Sequence, residues 1–557
     1  MTAPVQSPSR HAADPALKIS LTPTRPEPLA QAYRTAGHWP QQSLAALFER
    51  TVAEQAARVA LIDAERRLSF RDLHGLTTSL AHGFTRRGLG TGDVIAYQLP
   101  NWWEALVVFL AAARIGAVVN PLLPMFRSAE LRFTLRQSSA RALVIPAVFR
   151  DYDYRQLIAD LRAELPHLET VVVARGVPFD RMQRFEDLLA TPAPTAEAPA
   201  PVDPNSIALL MYTSGTTAEP KGVLHTHNTL AAEIFSLQRV HQLTAADRTL
   251  MPSPLTHISG VIHGILTPAL LGTSAVLMER WEPSQAMALL ARERVTYMVG
   301  APTFLQDLLA QADTAALPVD ACAALRLFSC GGASVSPELI RRARARFPHC
   351  VAKRVYGSTE FPTLTTTDAG DTLARGIETE GRAIWPAEVR IVDLGGTPLA
   401  AGSEGEVQGR GPECCAGYAD AALNADAFTV DGWFRTGDLG VLDVAGYLRI
   451  TGRLKEIVIR KGEKISVKEI EDAVASHPAI AEVAVIACPD AVSGESACAV
   501  VRLRAGKTVD LAKLTRHLAA LGLAKQKWPE RLEIVADFPR TDSGKILRNK
   551  LKELFAV

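Results

Sequence analysis

Almost no net charge is available to this chain for recruiting a highly charged partner. Its 60 Lys+Arg stand against 59 Asp+Glu, a formal +1, which excludes a global electrostatic footprint for nucleic acid or an anionic membrane and leaves only local basic patches. Cysteine is sparse. The seven thiols (Cys322, Cys330, Cys350, Cys414, Cys415, Cys488, Cys498) are odd in number, form no C-x-x-C pair and sit among apolar neighbours, which reads as buried reduced thiols rather than a zinc site or a disulfide framework. The N-terminus has no basic region followed by an apolar stretch, so no signal peptide is predicted and the cytoplasm is the expected compartment. Uninterrupted apolar runs are missing as well. Residues 260–278 lack Asp, Glu, Lys and Arg but are broken by His263, Gly264, Pro268 and Gly272, so they predict a short helix, a turn and a buried strand rather than a membrane span. The run 105–119 is interrupted by Arg114 and predicts a packed helix.

What is present fits a large soluble fold. With 48% hydrophobic, 21% charged and 6% aromatic residues, the composition is neither disordered nor fibrous, and chains beyond about 250–300 residues usually split into domains. Residues 1–28 carry six prolines and little periodicity, predicting a loosely ordered arm. From Ser43 onward, apolar runs such as Val94–Leu99, Ala142–Val148 and Thr170–Val173 alternate with helical stretches at 103–114 and 128–138. That alternation is the pattern of α/β layers around a mostly parallel sheet. A Pro/Ala-rich linker, Thr191–Pro204, precedes a second α/β series from Ile207, and after Gly381 short strands with frequent Gly turns suggest a small β unit. From about Arg453 the pattern is a compact mixture of helices (467–475, 509–521) and strands (482–487, 497–502, 531–535). The predicted architecture is thus α/β: an arm (1–28), a large domain of α/β layers with a small β unit (29–452), and a small mobile C-terminal α+β domain (453–557).

The most informative segment is Tyr212-Thr213-Ser214-Gly215-Thr216-Thr217-Ala218-Glu219-Pro220-Lys221-Gly222, which follows the apolar strand Ile207–Met211. Four hydroxyl side chains, two glycines and a lysine supply many donors and let backbone N–H groups approach an anion closely, which is what a phosphate cradle requires. A polar surface turn is the plain alternative for a Ser/Thr/Gly loop. It is not a Walker A loop: Gly506-Lys507-Thr508 has Val501 where the first glycine would stand.

Five further segments follow in order: Gly331-Gly332-Ala333, Tyr356-Gly357-Ser358-Thr359-Glu360, Trp433-Phe434-Arg435-Thr436-Gly437-Asp438, Gly452-Arg453-Leu454-Lys455-Glu456 and Pro539-Arg540-Thr541-Asp542-Ser543-Gly544-Lys545. With the T-S-G-T-T-x-x-P-K-G loop they resemble, in sequence and in order, the adenylate-forming superfamily of acyl-CoA synthetases, peptide-synthetase adenylation domains and luciferases. The resemblance runs from about Leu44 to Leu551. It implies two half-reactions, joining a carboxylate to AMP with loss of pyrophosphate and then passing the acyl group to a thiol, with ATP, Mg²⁺ and coenzyme A taking part.

The resemblance also implies residue roles. Lys545 lies between the carboxylate and the α-phosphate, where a cation offsets the charge gathering there. Glu360 and Thr213 hold Mg²⁺, a hard cation that prefers oxygen ligands, and Thr359 donates to the α-phosphate. The loop residues Thr213, Ser214, Gly215, Thr216, Thr217 and Lys221 cradle phosphates; Tyr356 and Gly357 face adenine across the thin Gly331-Gly332-Ala333 backbone. Asp438 and Arg453 hold the ribose hydroxyls, to which an ionised carboxylate only accepts, and Lys455 is the hinge on which the small domain turns. His257, in Pro254-Leu255-Thr256-His257-Ile258-Ser259-Gly260, stands near the substrate carboxylate. Siderophore-type aryl-acid activators typically carry Asn after that His; here the position is Ile258, which leaves a buried phenol without a partner and disfavours dihydroxybenzoate. Tyr97–Glu104 and Asn120-Pro121-Leu122 most resemble the branch of cyclohexanecarboxylate-CoA ligases and medium-chain acyl-CoA synthetases. The expected partners are a small apolar carboxylic acid, ATP and CoA, with no nucleic acid and no transmembrane segment; a homodimer stays open. Alternatives are a stand-alone adenylation enzyme loading a carrier-protein phosphopantetheine, an aryl-acid–CoA ligase, and an inactive binding protein on the same fold.

Overall fold

Short β-rich runs with no polar alternation, Val94–Tyr97, Ala142–Pro146 and Thr170–Ala174, form strands buried at every position, as a parallel sheet covered on both faces demands. The computed structural model describes residues 24–64, 66–190, 201–213, 220–316, 318, 320–454, 457–460, 463–490, 494–541 and 544–555. Among these residues, one sheet of the large domain runs in the order Gly417–Tyr418, Lys221–Thr226, Ile207–Thr213, Val118–Pro121, Val94–Tyr97, Ala142–Pro146, Thr170–Ala174 and Gln183–Arg184. The strands from Ile207–Thr213 onward are parallel, whereas Lys221–Thr226 folds back antiparallel on Ile207–Thr213. A second sheet has the parallel series Val351–Tyr356, Leu327–Cys330, Tyr297–Gly300, Arg248–Met251, Ser274–Leu277 and Val59–Asp63 at its centre.

The two sheets share one core. Every residue of the helix Trp103–Arg114 is buried, including Arg114, which pairs with Glu49, so the charge that interrupts this apolar run is neutralised rather than solvated. The stretch 260–278 is a short helical turn, a wide helical turn at Val261–Leu266, the helix Thr267–Leu271 and the buried strand Ser274–Leu277. No helix among the described residues is long and apolar enough to cross a membrane. All seven cysteines are buried and unbridged.

Glu388–Val392, Glu404–Arg410, Phe434–Leu442 and Leu448–Arg453 form a four-stranded antiparallel sheet. Beyond it, Ile480–Asp490 and Gly494–Leu503 pair antiparallel over ten residue pairs, with Arg531–Ile534 added in parallel. The helices Val467–Ala475 and Leu511–Ala520 pack on this sheet around a separate core that includes Val458, Ile470, Val501 and Leu514. One difference from the sequence reading concerns the arm. Residues 1–23 lie outside the described residues, but Thr24 and Arg25 hydrogen-bond to Cys414, Cys415 and Ala416, and a helix, Glu27–Thr35, buries Ala30 and Tyr33. Pro4, Pro8, Pro15 and Pro23 precede this anchored segment, while Pro26 and Pro28 lie at the start of its helix, where a missing N–H is tolerated.

Candidate active site

Two neighbouring parallel strands, Leu327–Cys330 and Val351–Tyr356, end at the same edge of their sheet. Their exits carry Gly331-Gly332-Ala333 and Gly357-Ser358-Thr359-Glu360, so both loops fall where α/β sheets place their ligands. A cavity of about 250 Å³ opens there, lined by Gly332, Tyr356, Asp438, Arg453, Thr303 and Lys545 among others. It therefore draws on the second sheet, on the antiparallel strands that carry Asp438 and Arg453, and on the small domain.

Asp438 and Arg453 stand opposite each other in the antiparallel pair Phe434–Leu442/Leu448–Arg453. Arg453 Nε reaches Asp438 Oδ1 at 2.8 Å, and the Tyr356 hydroxyl donates to Asp438 Oδ2 at 2.6 Å. Burial first and the carboxylate second push the Tyr356 phenol far up, so it stays protonated as a donor. The result is a fixed tyrosine ring, a buried carboxylate and a half-exposed guanidinium, a set suited to a planar base and adjacent hydroxyls.

At the phosphate end, Thr213 pairs with Lys221 across the hairpin. Ser214, Gly215, Thr216 and Thr217, between them, lie outside the described residues, as does Lys455. Lys221 Nζ stands 5.4 Å from the centre of the Tyr418 ring, and the Tyr418 hydroxyl donates to Glu360 Oε1 at 2.7 Å. The Glu360 carbonyl accepts from the Cys415 N–H at 2.7 Å. Thr359 is held from behind: the His225 Nε2–H donates to its carbonyl at 2.8 Å, and Nδ1 meets the Thr229 hydroxyl at 3.2 Å. Burial lowers His225 to about 4, so the ring is neutral and its tautomer follows from the carbonyl it serves. Sequence reading missed Tyr418 and His225; the signal for Tyr418 is a phenol inside the apolar run 414–419, which needs a partner when buried.

The small domain contributes Lys545. Gly544 has φ +84°, and a Cβ there would lie 2.7 Å from Thr303 Oγ1, so only glycine lets this loop settle on the large domain. The Lys545 N–H donates to Thr541 Oγ1 at 3.1 Å and its carbonyl accepts from the Thr541 N–H at 2.8 Å. His257 caps a helical turn, with Nδ1 accepting from the Ser259 N–H and 2.9 Å from its hydroxyl. Desolvation and then the Lys545 charge push its imidazole down to about 4, which keeps that ring neutral at physiological pH. The sequence also suggests an apolar wall for the acid, from Ile258, Val261 and Ile262 on one segment and Ala301, Pro302 and Phe304 after the strand 297–300; of these, Pro302 lines the cavity. Val261 and Ile262 have essentially no free surface and belong to the core, while Phe304 packs on Trp281 at 4.6 Å. The turn 261–266 is buried at every position, and Phe304 lies on the buried face of the helix Pro302–Thr314.

The donor chemistry suits magnesium: Glu360 offers a carboxylate of which one oxygen accepts a single phenol, leaving acceptor capacity for a hard cation. Loops at the ends of parallel strands, closed over by a small domain that brings one lysine, define a nucleotide-using enzyme built from two domains. The chain belongs to the AMP-binding enzyme family: that family's model matches residues 48–419, and the AMP-binding enzyme C-terminal domain matches residues 469–545. It is an enzyme of the AMP-forming acid–thiol ligase class. It is 35% identical over 541 residues to the medium-chain fatty-acid–CoA ligase of Escherichia coli, covering 96% of this chain and 94% of that one. It is 33% identical over 543 residues to a salicylyl-CoA synthase/salicylate adenylyltransferase of Streptomyces, covering 95% and 96%. Among solved structures, ATP-bound MatB from Rhodopseudomonas palustris matches with a TM-score of 0.82 at 28% identity, covering 92% of this chain and 99% of that one. ATP and CoA as co-substrates are implied by this family.

Proposed function

We propose that the protein is an ATP-dependent acid–CoA ligase acting on an apolar, alicyclic or medium-chain carboxylic acid. In the first half-reaction a carboxylate oxygen attacks the α-phosphorus of ATP, the bond to the β-phosphate bridge breaks, and pyrophosphate leaves. In the second the CoA thiol sulfur attacks the acyl carbonyl carbon, AMP departs with the bonding pair, and the thiol proton is lost to solvent. The observation that carries this reading is the position of Lys545, which shares one cavity with Tyr356, Asp438 and Arg453.

Each residue then has a physical task. Tyr356, locked by Asp438, gives adenine a flat face, and Asp438 with Arg453 orients the ribose. Lys221 and Thr213, with the loop between them, meet the phosphates, and Thr359 donates to the α-phosphate from a backbone fixed by His225. Lys545 offsets the charge that builds as the carboxylate attacks. His257, neutral, adds no competing positive charge and donates from Nε2 toward the acid. Glu360 and Thr213 would hold Mg²⁺, which neutralises phosphate charge when bound.

Similarity to the Escherichia coli medium-chain ligase supports the apolar acid, as does Ile258 after His257. Similarity to the salicylate-activating protein supports a second reading, an aryl-acid ligase or one that loads a carrier-protein thiol. A pyrophosphate-release screen over acetate, hexanoate, octanoate, cyclohexanecarboxylate, salicylate and 2,3-dihydroxybenzoate, with CoA and with carrier protein as acceptor, separates them. Burial of methylenes at about 0.8 kcal/mol each predicts that C6–C8 or cyclohexanecarboxylate exceeds acetate by a large factor in kcat/KM. Highest kcat/KM with acetate or dihydroxybenzoate overturns the substrate class.

A further inference from the structure

We propose that the segment around Arg25 is a positioning strap for the phosphate and cation end of the site, acting through residues 414–418 on Glu360 and Lys221. This inference rests on the reading of Glu360 as the cation-holding carboxylate. The strap is tied by several separate contacts. Arg25 Nη2 donates to the carbonyls of Cys414 at 2.6 Å and Cys415 at 2.8 Å, and Thr24 Oγ1 donates to the Ala416 carbonyl at 3.2 Å. The Arg25 guanidinium lies 5.3 Å over the Trp39 ring, whose Nε1–H donates to the Pro412 carbonyl at 3.1 Å. Gly417 has φ +125°, and a Cβ there would sit 2.8 Å from Thr24 Cγ2, so the two segments approach more closely than any other residue permits.

The far side of residues 414–418 touches the site twice. The Cys415 N–H holds the Glu360 carbonyl, and the Tyr418 hydroxyl holds its carboxylate. The Tyr418 ring also lies beneath Lys221, and the Ala416 N–H donates to the Leu224 carbonyl of the strand that begins at Lys221. Arg25 therefore fixes, from outside the site, the main chain that sets both the carboxylate oxygen and the ammonium. A charged donor shared by two carbonyls is a strong backbone restraint, stronger than a neutral one.

The test uses the full chain and ATP as the probe. Affinity for ATP is measured by calorimetry with Mg²⁺ and again with EDTA for wild type, Arg25→Met, Arg25→Lys and Glu360→Gln, and amide hydrogen exchange is followed at residues 414–419. Arg25→Met keeps the apolar stem and removes the donors; it should lose about tenfold in affinity with Mg²⁺, change less than about twofold with EDTA, and exchange faster at Cys415 and Ala416. Arg25→Lys should recover part of the loss. Should Arg25→Met fail to fold, Arg25→Lys and Thr24→Val carry the same comparison. Wild-type Mg²⁺-dependent affinity in the Arg25 variants overturns the strap, and it leaves the reading of Glu360 standing if Glu360→Gln loses that gain. If Glu360→Gln keeps the gain, the reading of Glu360 fails and the strap's role at the cation falls with it.

Discussion

In the proposed mechanism, a positive charge at Lys545 matters only while negative charge gathers on the α-phosphate and the attacking carboxylate. Lys545→Ala should therefore slow acyl-adenylate formation by on the order of 10²–10³, as for loss of an oxyanion donor, while CoA transfer from supplied acyl-adenylate stays near wild type. Rapid-quench assays of the two half-reactions check this; equal loss in both removes Lys545 from the proposed role. A second residue speaks through pH. Glu413 is fully buried, its Oε1 accepting from the Ser236 hydroxyl at 2.5 Å, and burial raises its carboxyl to about 7, against which Ser236 pulls down. A raised folded pKa means that the native state holds its proton where the unfolded chain, near its ordinary value of about 4.5, has released it. Stability from this group is complete below about 4.5 and lost as pH climbs through 7. Glu413→Gln should flatten the fall in Tm between pH 5 and pH 8 seen by calorimetry; an unchanged slope would show that the carboxyl does not titrate there.

Among elements, the loop Thr541–Lys545 depends on one glycine. Gly544→Ala combines a positive φ with the contact to Thr303, so it should cut pyrophosphate exchange by about tenfold or more without lowering Tm by more than a few degrees, and Thr303→Ala should recover only the part due to the contact. Such loops were legible in the sequence through resemblance to a known family's motifs, carried by glycine, hydroxyl and charge in a fixed order. The helices 103–114 and 467–475 were legible because their apolar periodicity or charge pattern is local. What stayed hidden depends on partners far apart along the chain. Arg25 meets Cys414 across 389 positions and His225 meets Thr359 across 134, and neither leaves a periodic trace. The apolar wall was overread for the same reason: hydrophobicity marks Val261, Ile262 and Phe304 as inward-facing without saying whether a core or a ligand lies inside.

At the scale of the whole molecule, the small domain lies against the loops proposed to hold the nucleotide. The Lys468 ammonium donates to Ser334 Oγ at 3.2 Å and to the Asp472 carboxylate at 2.9 Å, beside the turn that follows Gly331-Gly332-Ala333. If Lys455 is the hinge, fixing its φ and deleting its N–H with Lys455→Pro should preserve pyrophosphate release and reduce thioester formation by about tenfold or more; wild-type rates in both would place the pivot elsewhere. The strand Leu448–Arg453 carries a further consequence. It pairs Arg453 with Asp438 at the proposed ribose end of the cavity and leads on toward residue 455. If Asp438 and Arg453 hold the ribose as proposed, one stretch of backbone is gripped by the nucleotide at one end and leads to the small domain at the other, so occupancy and molecular outline are mechanically joined. Small-angle scattering should register that joint: titration with a non-reactive acyl-adenylate analogue should shrink the radius of gyration and narrow its distribution, and Asp438→Ala should sever the two, leaving an outline that no longer follows the ligand.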